Sequence, residues 1–413
     1  MRARIVIAAL LAAAVGVVAS SATGAPSKAS AGKTLTVWLQ TDAQADNWKP
    51  IIAAANAQFE KDHPGWTVDV QFQTWGAHLQ KFDATLAGGN GPDVIEMGNT
   101  EMTKYMAAGA FADLSGEKFD NQSSWLKGLA AAGTYNGKLY GVPYYAGSRV
   151  VTYRTDLFRK AGVKVPTSLA ELTAGARTLA AKNAAKGFSP VYVAGTDWYV
   201  ALSFVYDYGG SIATRVSGKW KGTLDSPKSL AGLNAFKSFF AAASRASKTT
   251  DEAHPNPYDV YAEGQAAAIV GPAWYTCCVG KKYAGVTAQF VMPSHTKGLV
   301  MPGFLGGSNL AVPVTSPNVG LAADWIRIYT GTSSEKALQA IGNIPNATNL
   351  FNPSRINERA ASRSWFVPTA KNWVNVENGN ILRNMLAQIL TGKLTVKQAA
   401  SAASDNITSV LNA

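Results

Sequence analysis

The chain has only two cysteines in 413 residues, and they are adjacent, Cys277 and Cys278. Adjacent cysteines cannot staple distant segments, so disulfides do not hold this fold together. In an oxidising compartment the pair either forms a vicinal disulfide or stays as buried thiols. Charge is also sparse, at 15% of residues. The formal net charge is +12, yet Arg2, Arg4, Lys28 and Lys33 crowd the N-terminus and the other basic residues are scattered. A nucleic-acid footprint needs a run of about five or six basic residues. None occurs, so no nucleic acid is expected as a partner. The four histidines, His63, His78, His254 and His295, form no H-x-x-x-H or H-x-H pair, which argues against catalytic zinc. G-x-S-x-G, P-loop and G-x-G-x-x-G motifs are all missing. Gly88-Gly89-Asn90-Gly91 is the nearest glycine-rich stretch, and a helix-ending turn accounts for it. No metal or cofactor is expected.

Only one long apolar run is present, Ile5 to Val18, and it is short of the about 20 residues that span a bilayer. Arg2 and Arg4 precede it, and Ala19-Ser20-Ser21-Ala22-Thr23-Gly24-Ala25 follows. A basic start, a short apolar core and small residues make a secretory signal peptide, assigned to 1–24 with cleavage after Ala22 or Gly24. No cysteine stands there to accept lipid, so the expected product is exported and untethered, periplasmic or extracellular at the outer face of the cytoplasmic membrane. The remaining length exceeds one ordinary core, which predicts two domains. Eleven tryptophans and fifteen tyrosines stand out against so little charge. Many aromatics with few charges suit sugar recognition, since pyranose faces stack on flat rings while hydroxyls bond a few polar groups.

Hydrophobic periodicity orders the chain. Thr34 to Leu39 alternates as a strand, and Trp48, Ile52, Ala55 and Phe59 mark one helix face behind Asp46. Val68, Val70 and Phe72 alternate again; Leu79, Phe82 and Leu86 mark a second helix; Val94-Ile95 follows Pro92-Asp93 as a third strand. This βαβαβ order predicts an α/β fold with mainly parallel sheets flanked by helices, with ligands beyond the carboxyl ends of the strands. Helices are predicted over 169–185, 230–243, 319–329, 381–390 and 395–411, and strands over 191–193, 266–270 and 309–313.

Several segments, in order, resemble the extracellular solute-binding proteins of carbohydrate ABC transporters, the broad family that includes maltodextrin-binding proteins. They are Leu35-Thr-Val-Trp-Leu, Phe59-Glu-Lys-Asp-His-Pro64, Ala87-Gly-Gly-Asn-Gly-Pro-Asp-Val94, Asn136-Gly-Lys-Leu-Tyr-Gly-Val-Pro143 with Tyr153-Arg-Thr-Asp-Leu-Phe158, Gly264-Gln-Ala-Ala-Ala-Ile-Val-Gly-Pro-Ala-Trp274, and Gly306-Gly-Ser-Asn-Leu-Ala-Val-Pro313. The resemblance implies two α/β lobes with the ligand in the cleft between them. Lobe one is placed at 34–146 plus 304–346, and lobe two at 150–300 plus 350–413. It also implies a monomer that binds an oligosaccharide, closes by a hinge motion and presents itself to membrane permease subunits. The segment Glu96–Glu101 is most similar to chitobiose or cello-oligosaccharide binders.

Site residues follow from the same resemblance. Asp42 comes after the first strand, Trp75 after the second, and Asn99, Thr100 and Glu101 after the third. Tyr144, Tyr145 and Arg149 lie in the crossing segment, where a polar group that relatives often carry near Gly147 is missing. Trp198 and Tyr199 are consecutive, so one of them is expected to face the cleft. Trp274 is the leading stacking residue, with Tyr275 beside it; Ser308, Asn309 and Trp373 complete the set. Cys277 and Cys278 lie close enough to Trp274 to line the cleft. Two other function classes stay open. A secreted glycoside hydrolase or lyase needs two well-placed carboxylates, with Asp42, Asp69, Asp93, Glu96, Glu101, Asp197 and Glu263 as candidates. A binder of a polyamine or iron complex needs a cleft rich in carboxylates or tyrosinates. Recognition without catalysis is the expectation.

Overall fold

The computed structural model describes residues 33–41, 45–183 and 185–413. The leader and Asp42 lie outside the described residues. Strand Lys33–Gln40 is buried on both faces: Leu35, Val37 and Leu39 join one cluster with Trp48, Ile52 and Phe59, while Trp38 joins another with Phe82, Ile95 and Met97. Burial on both faces is what a strand inside a helix-covered sheet requires. The helices responsible are Ala45–Asp62 on one side and His78–Gly88 on the other.

These strands belong to a six-stranded sheet ordered Ile344–Pro345, Gly141–Gly147, Gly306–Ala311, Val94–Gly98, Lys33–Gln40, Trp66–Gln73. Lys33–Gln40 pairs in parallel with both Trp66–Gln73 and Val94–Gly98. The other three pairings are antiparallel. The sheet is therefore mixed rather than mainly parallel throughout. The parallel part is the βαβαβ start; the antiparallel part is built by strands near the crossings between lobes, which enter the sheet from the opposite direction.

A second, three-stranded sheet places Arg149–Arg154 between Ala268–Pro272 and Thr287–Phe290, both antiparallel. Its parallel character is limited to two isolated bridges, Ser189 to Ala266 and Tyr192 to Ile269. Helices Leu169–Lys182, Trp198–Asp207, Pro227–Ala243, Ile381–Thr391 and Val396–Asn412 pack around it in the largest hydrophobic cluster. Only Ser148 separates the last strand residue of one sheet, Gly147, from the first of the other, Arg149. A return crossing runs through Phe304, which packs in that largest cluster, and Leu305 to Gly306, which pairs with Gly147. Two short connections side by side make a hinge. Among the described residues, no helix is long and apolar enough to cross a membrane.

Candidate functional site

The parallel strands carry their carboxyl ends to one edge of the six-stranded sheet. Trp75 follows Trp66–Gln73 there, and Asn99, Thr100 and Glu101 follow Val94–Gly98. Across from them stand Arg149, Tyr199, Pro272 and Glu377, all packed with the smaller sheet's lobe. Together with Gly98, Tyr145, Phe304, Gly306 and Gly307, these residues line a pocket of about 360 Å³. It draws on both sheets and both crossings, so a ligand in it touches both lobes at once.

Each wall has a cause. Asn99 fixes the edge to the return crossing: its side chain donates to the Leu305 carbonyl at 3.0 Å and its backbone N–H to the Gly307 carbonyl at 3.0 Å. Gly307 has φ +149° and a Cβ there would lie 2.1 Å from the Tyr145 carbonyl, so only glycine lets these two strands close up beside the pocket. Tyr145 is held edge-on against Trp48 and Tyr144, at 4.8 Å in each case. Arg149 lays its guanidinium 4.3 Å over the Tyr199 ring. Burial raises the Tyr199 hydroxyl well above the usual tyrosine range, so the ring faces the pocket neutral.

His78 sits behind the wall, 1% exposed. Its Nδ1 is 2.8 Å from the Trp75 carbonyl and its Nε2 2.9 Å from Glu101 Oε2. A carbonyl and a carboxylate both accept, so both ring nitrogens must donate, and the ring is an imidazolium. Burial opposes that charge; the hydrogen bond and charge of Glu101 outweigh it and raise the His78 pKa. Glu101 Oε2 also accepts from the Gly98 N–H at 2.9 Å. Glu101 is thus a paired, fixed group.

Glu377 is not paired in this way. Trp373 Nε1 donates to its Oε1 at 2.5 Å, and the Thr100 hydroxyl, from the opposite lobe, lies 3.4 Å from Oε2. Burial pushes the Glu377 carboxyl up to about 7, with the Glu101 charge adding to the rise. Farther back, Asp197 caps helix Trp198–Asp207 by accepting from the Val200 N–H at 3.1 Å. Burial pushes its pKa up to about 6, and Arg149 pulls it back in part. Arg383 donates to Glu252 at 2.6 Å.

Of the residues named from sequence, the pocket brings together Trp75, Asn99, Thr100, Glu101, Tyr145, Arg149 and Tyr199. It leaves out five. Trp198 is buried and stacks under Tyr199 at 3.9 Å. Tyr275 is buried against Tyr258 and Trp274. Trp373 is buried and reaches the pocket only through Glu377. Ser308 and Asn309 are fully buried in the six-stranded sheet. Asn309 donates to the Leu129 and Gly141 carbonyls at 3.0 and 3.4 Å. Asn309→Ala is therefore expected to cost about 1–3 kcal/mol of stability in denaturant titration, from the orphaned carbonyls. Its effect on ligand affinity should be small by comparison.

Trp274 lines a second pocket of about 360 Å³, beside Cys277, Asn47, Ile341 and Arg355. Cys277 and Cys278 are joined to each other. The two pockets are neighbours: Pro272 lines the first and Ala273 the second. Among the described residues, no group of three histidine, cysteine, aspartate or glutamate side chains is placed to hold a metal ion. Glu377, Phe304 and His78 were missed from sequence. Glu377 stands four residues after Trp373, one helical turn on, which was the signal available.

Two lobes on two sheets, a hinge of short crossings and a pocket walled by both define a cleft-type binding protein. The chain belongs to the bacterial extracellular solute-binding protein family, whose model matches residues 42–336. It is 31% identical over 387 residues to the diacetylchitobiose binding protein DasA of Streptomyces coelicolor, covering 88% of this chain and 86% of that one. It is 24% identical to the maltodextrin-binding protein MdxE of Bacillus subtilis, over 76% and 73% of the two chains. Among solved structures, the GacH receptor of Streptomyces glaucescens superposes with a TM-score of 0.77 at 23% identity, covering 92% of this chain and 98% of that one. That likeness shows the two-lobed fold.

Proposed function

We propose that this protein is the sugar-binding subunit of an ABC importer, that it takes an oligosaccharide into the pocket between its lobes, and that it hands the closed complex to membrane permease subunits. The observation that carries this is the composition of the pocket wall. Trp75 and Tyr145 bring aromatic rings from one side, Phe304 and the Arg149-covered Tyr199 from the other, and Thr100, Glu101, Arg149 and Glu377 bring polar groups between them. Rings for pyranose faces and polar groups for hydroxyls are what a sugar requires. The likeness to a diacetylchitobiose binder over most of both chains supports the same class. The lobes are taken as 34–146 plus 304–346 and 150–300 plus 350–413, working as an exported monomer outside the cytoplasmic membrane. Closure follows because a sugar touching both walls has its full set of partners only when the lobes are together.

A thermal-shift panel of mono- and oligosaccharides tests the reading. Ligand at about 100 times its dissociation constant should add about 2.7 kcal/mol to stability. Silence from every sugar would sink the proposal. Release of new reducing ends during incubation would instead make the protein a hydrolase.

A further inference from the structure

Two of the carboxylates around the pocket are matched in close pairs. Glu101 is matched by the His78 imidazolium at 2.9 Å, and Arg383 by Glu252 at 2.6 Å. Arg149 stacks over Tyr199 and, among the described residues, has no carboxylate at ion-pair distance; it is offset only at longer range by Asp197. Glu377 is left over. Among the described residues its hydrogen-bond partners are an indole and a hydroxyl, neither of them a cation. It is half-buried and lines the cleft from the lobe opposite Glu101.

We propose that the ligand of this pocket is a sugar bearing a free, protonated amine, of the glucosamine-oligosaccharide kind, with the ammonium seated against Glu377. This rests on the sugar-binding reading above and narrows it to a substrate class. An ammonium has three donors and no acceptor, which suits a pocket whose lining includes the carboxylates of both Glu377 and Glu101. The rings of Trp75 and Tyr145 line the same pocket, and aromatic faces attract cations. The geometry also couples binding to closure. Glu377 and Glu101 belong to different lobes and repel; a cation between them converts that repulsion into attraction across the cleft. The chain's formal charge of +12 opposes a cationic ligand from a distance. Salt screens such a field within about 8–10 Å, so the carboxylates at the contact decide.

The groups facing Glu377 define a proton signature. From the opposite lobe these are Glu101, with His78 behind it; from the other side they are Arg149, which lines the pocket over the Tyr199 ring, together with Arg383 and Glu252. Burial leaves Glu377 partly protonated in the free protein near neutral pH. A bound ammonium favours the carboxylate, so binding must expel a proton. A neutral sugar has no reason to do so.

Three β-1,4 disaccharides that differ only at carbon 2 provide the test: the diglucosamine, its N,N′-diacetyl form and cellobiose. Titration calorimetry on the full chain at mildly acidic pH, in buffers of different ionisation heat, should show the diglucosamine binding at least about tenfold tighter than the other two, because only it carries the charge-assisted contact. Proton release should accompany it alone. Glu377→Gln should collapse the affinity ratio of diglucosamine to cellobiose towards one and abolish the release. Glu101→Gln, which leaves Glu377 in place, should weaken the preference without removing it. Tighter or equal binding of either neutral analogue overturns the proposal, and so does a preference that survives Glu377→Gln. In both of those cases the sugar-binding reading stands. Failure of these three and of every other sugar to bind overturns both.

Discussion

Trp373→Ala is expected to destabilise the protein by about 3–5 kcal/mol in denaturant titration, the cost of emptying a buried aromatic site. The indole is 1% exposed and packs in the largest hydrophobic cluster, facing Trp198 at 6.2 Å. It opens the helix Trp373–Asn378, which has only six residues and no means of standing alone. The cavity cannot close by shifting that helix without pulling Glu377 out of the pocket. Trp373→Phe separates packing from hydrogen bonding. It keeps a ring in the site and deletes the N–H that Glu377 Oε1 accepts, so it should cost about 1–2 kcal/mol. Burial raises the Glu377 carboxyl to about 7, and the Trp373 N–H is what most restrains it. A folded-state pKa above the unfolded one means the folded form holds its proton longer. That contribution is complete below the ordinary glutamate range and is lost as pH climbs through about 7. Trp373→Phe should push the loss to higher pH, visible in a carboxyl NMR titration of Glu377. An unchanged titration would mean the indole only fills space.

How far the site could be read from sequence depended on the distance over which each residue acts. Trp75 and Asn99 to Glu101 were legible because parallel strands send their carboxyl ends to one edge, and a chain-order argument finds that edge. The helix over 319–329 matches its prediction residue for residue, since its apolar period is local. Val191–Val193, predicted as a strand, forms only a bridge at Tyr192. Its N–H groups go in turn to the Ala243 carbonyl, the Ala268 carbonyl and the Ser244 hydroxyl, so no ladder with one partner develops. Ser308 and Asn309 hold the right place in the motif, but a register shift between them sets their direction, and sequence does not show it. Glu377 meets Thr100 across 277 residues, a contact no local pattern encodes. Consecutive aromatics at 198 and 199 announced that one would be core; which one depended on the Trp365 and Trp373 rings behind Trp198.

Trp75→Ala is expected to lower ligand affinity by about 10–100-fold, equivalent to about 1.4–2.8 kcal/mol. Its stability should barely change. Trp75 is 40% exposed, and among the described large hydrophobic side chains exposed to this degree it is the one aromatic. An indole left open to water in a cleft has its apolar area still to bury, so its contribution falls on binding rather than folding. Its own contacts fix its orientation: the ring stands edge-on to His78 at 5.2 Å, and its backbone carbonyl accepts from that imidazolium. A stacking face fixed before the ligand arrives costs little ordering on binding. Trp274 makes the comparison informative, because it lines the neighbouring pocket instead. A disaccharide confined to the first pocket should lose affinity with Trp75→Ala and be indifferent to Trp274→Ala. A longer oligosaccharide that continues past Pro272 into the second pocket should feel both. Measuring the two variants against a ladder of chain lengths therefore turns two side chains into a ruler for the ligand. Equal affinity of wild type and Trp75→Ala for every length would remove the indole from the site.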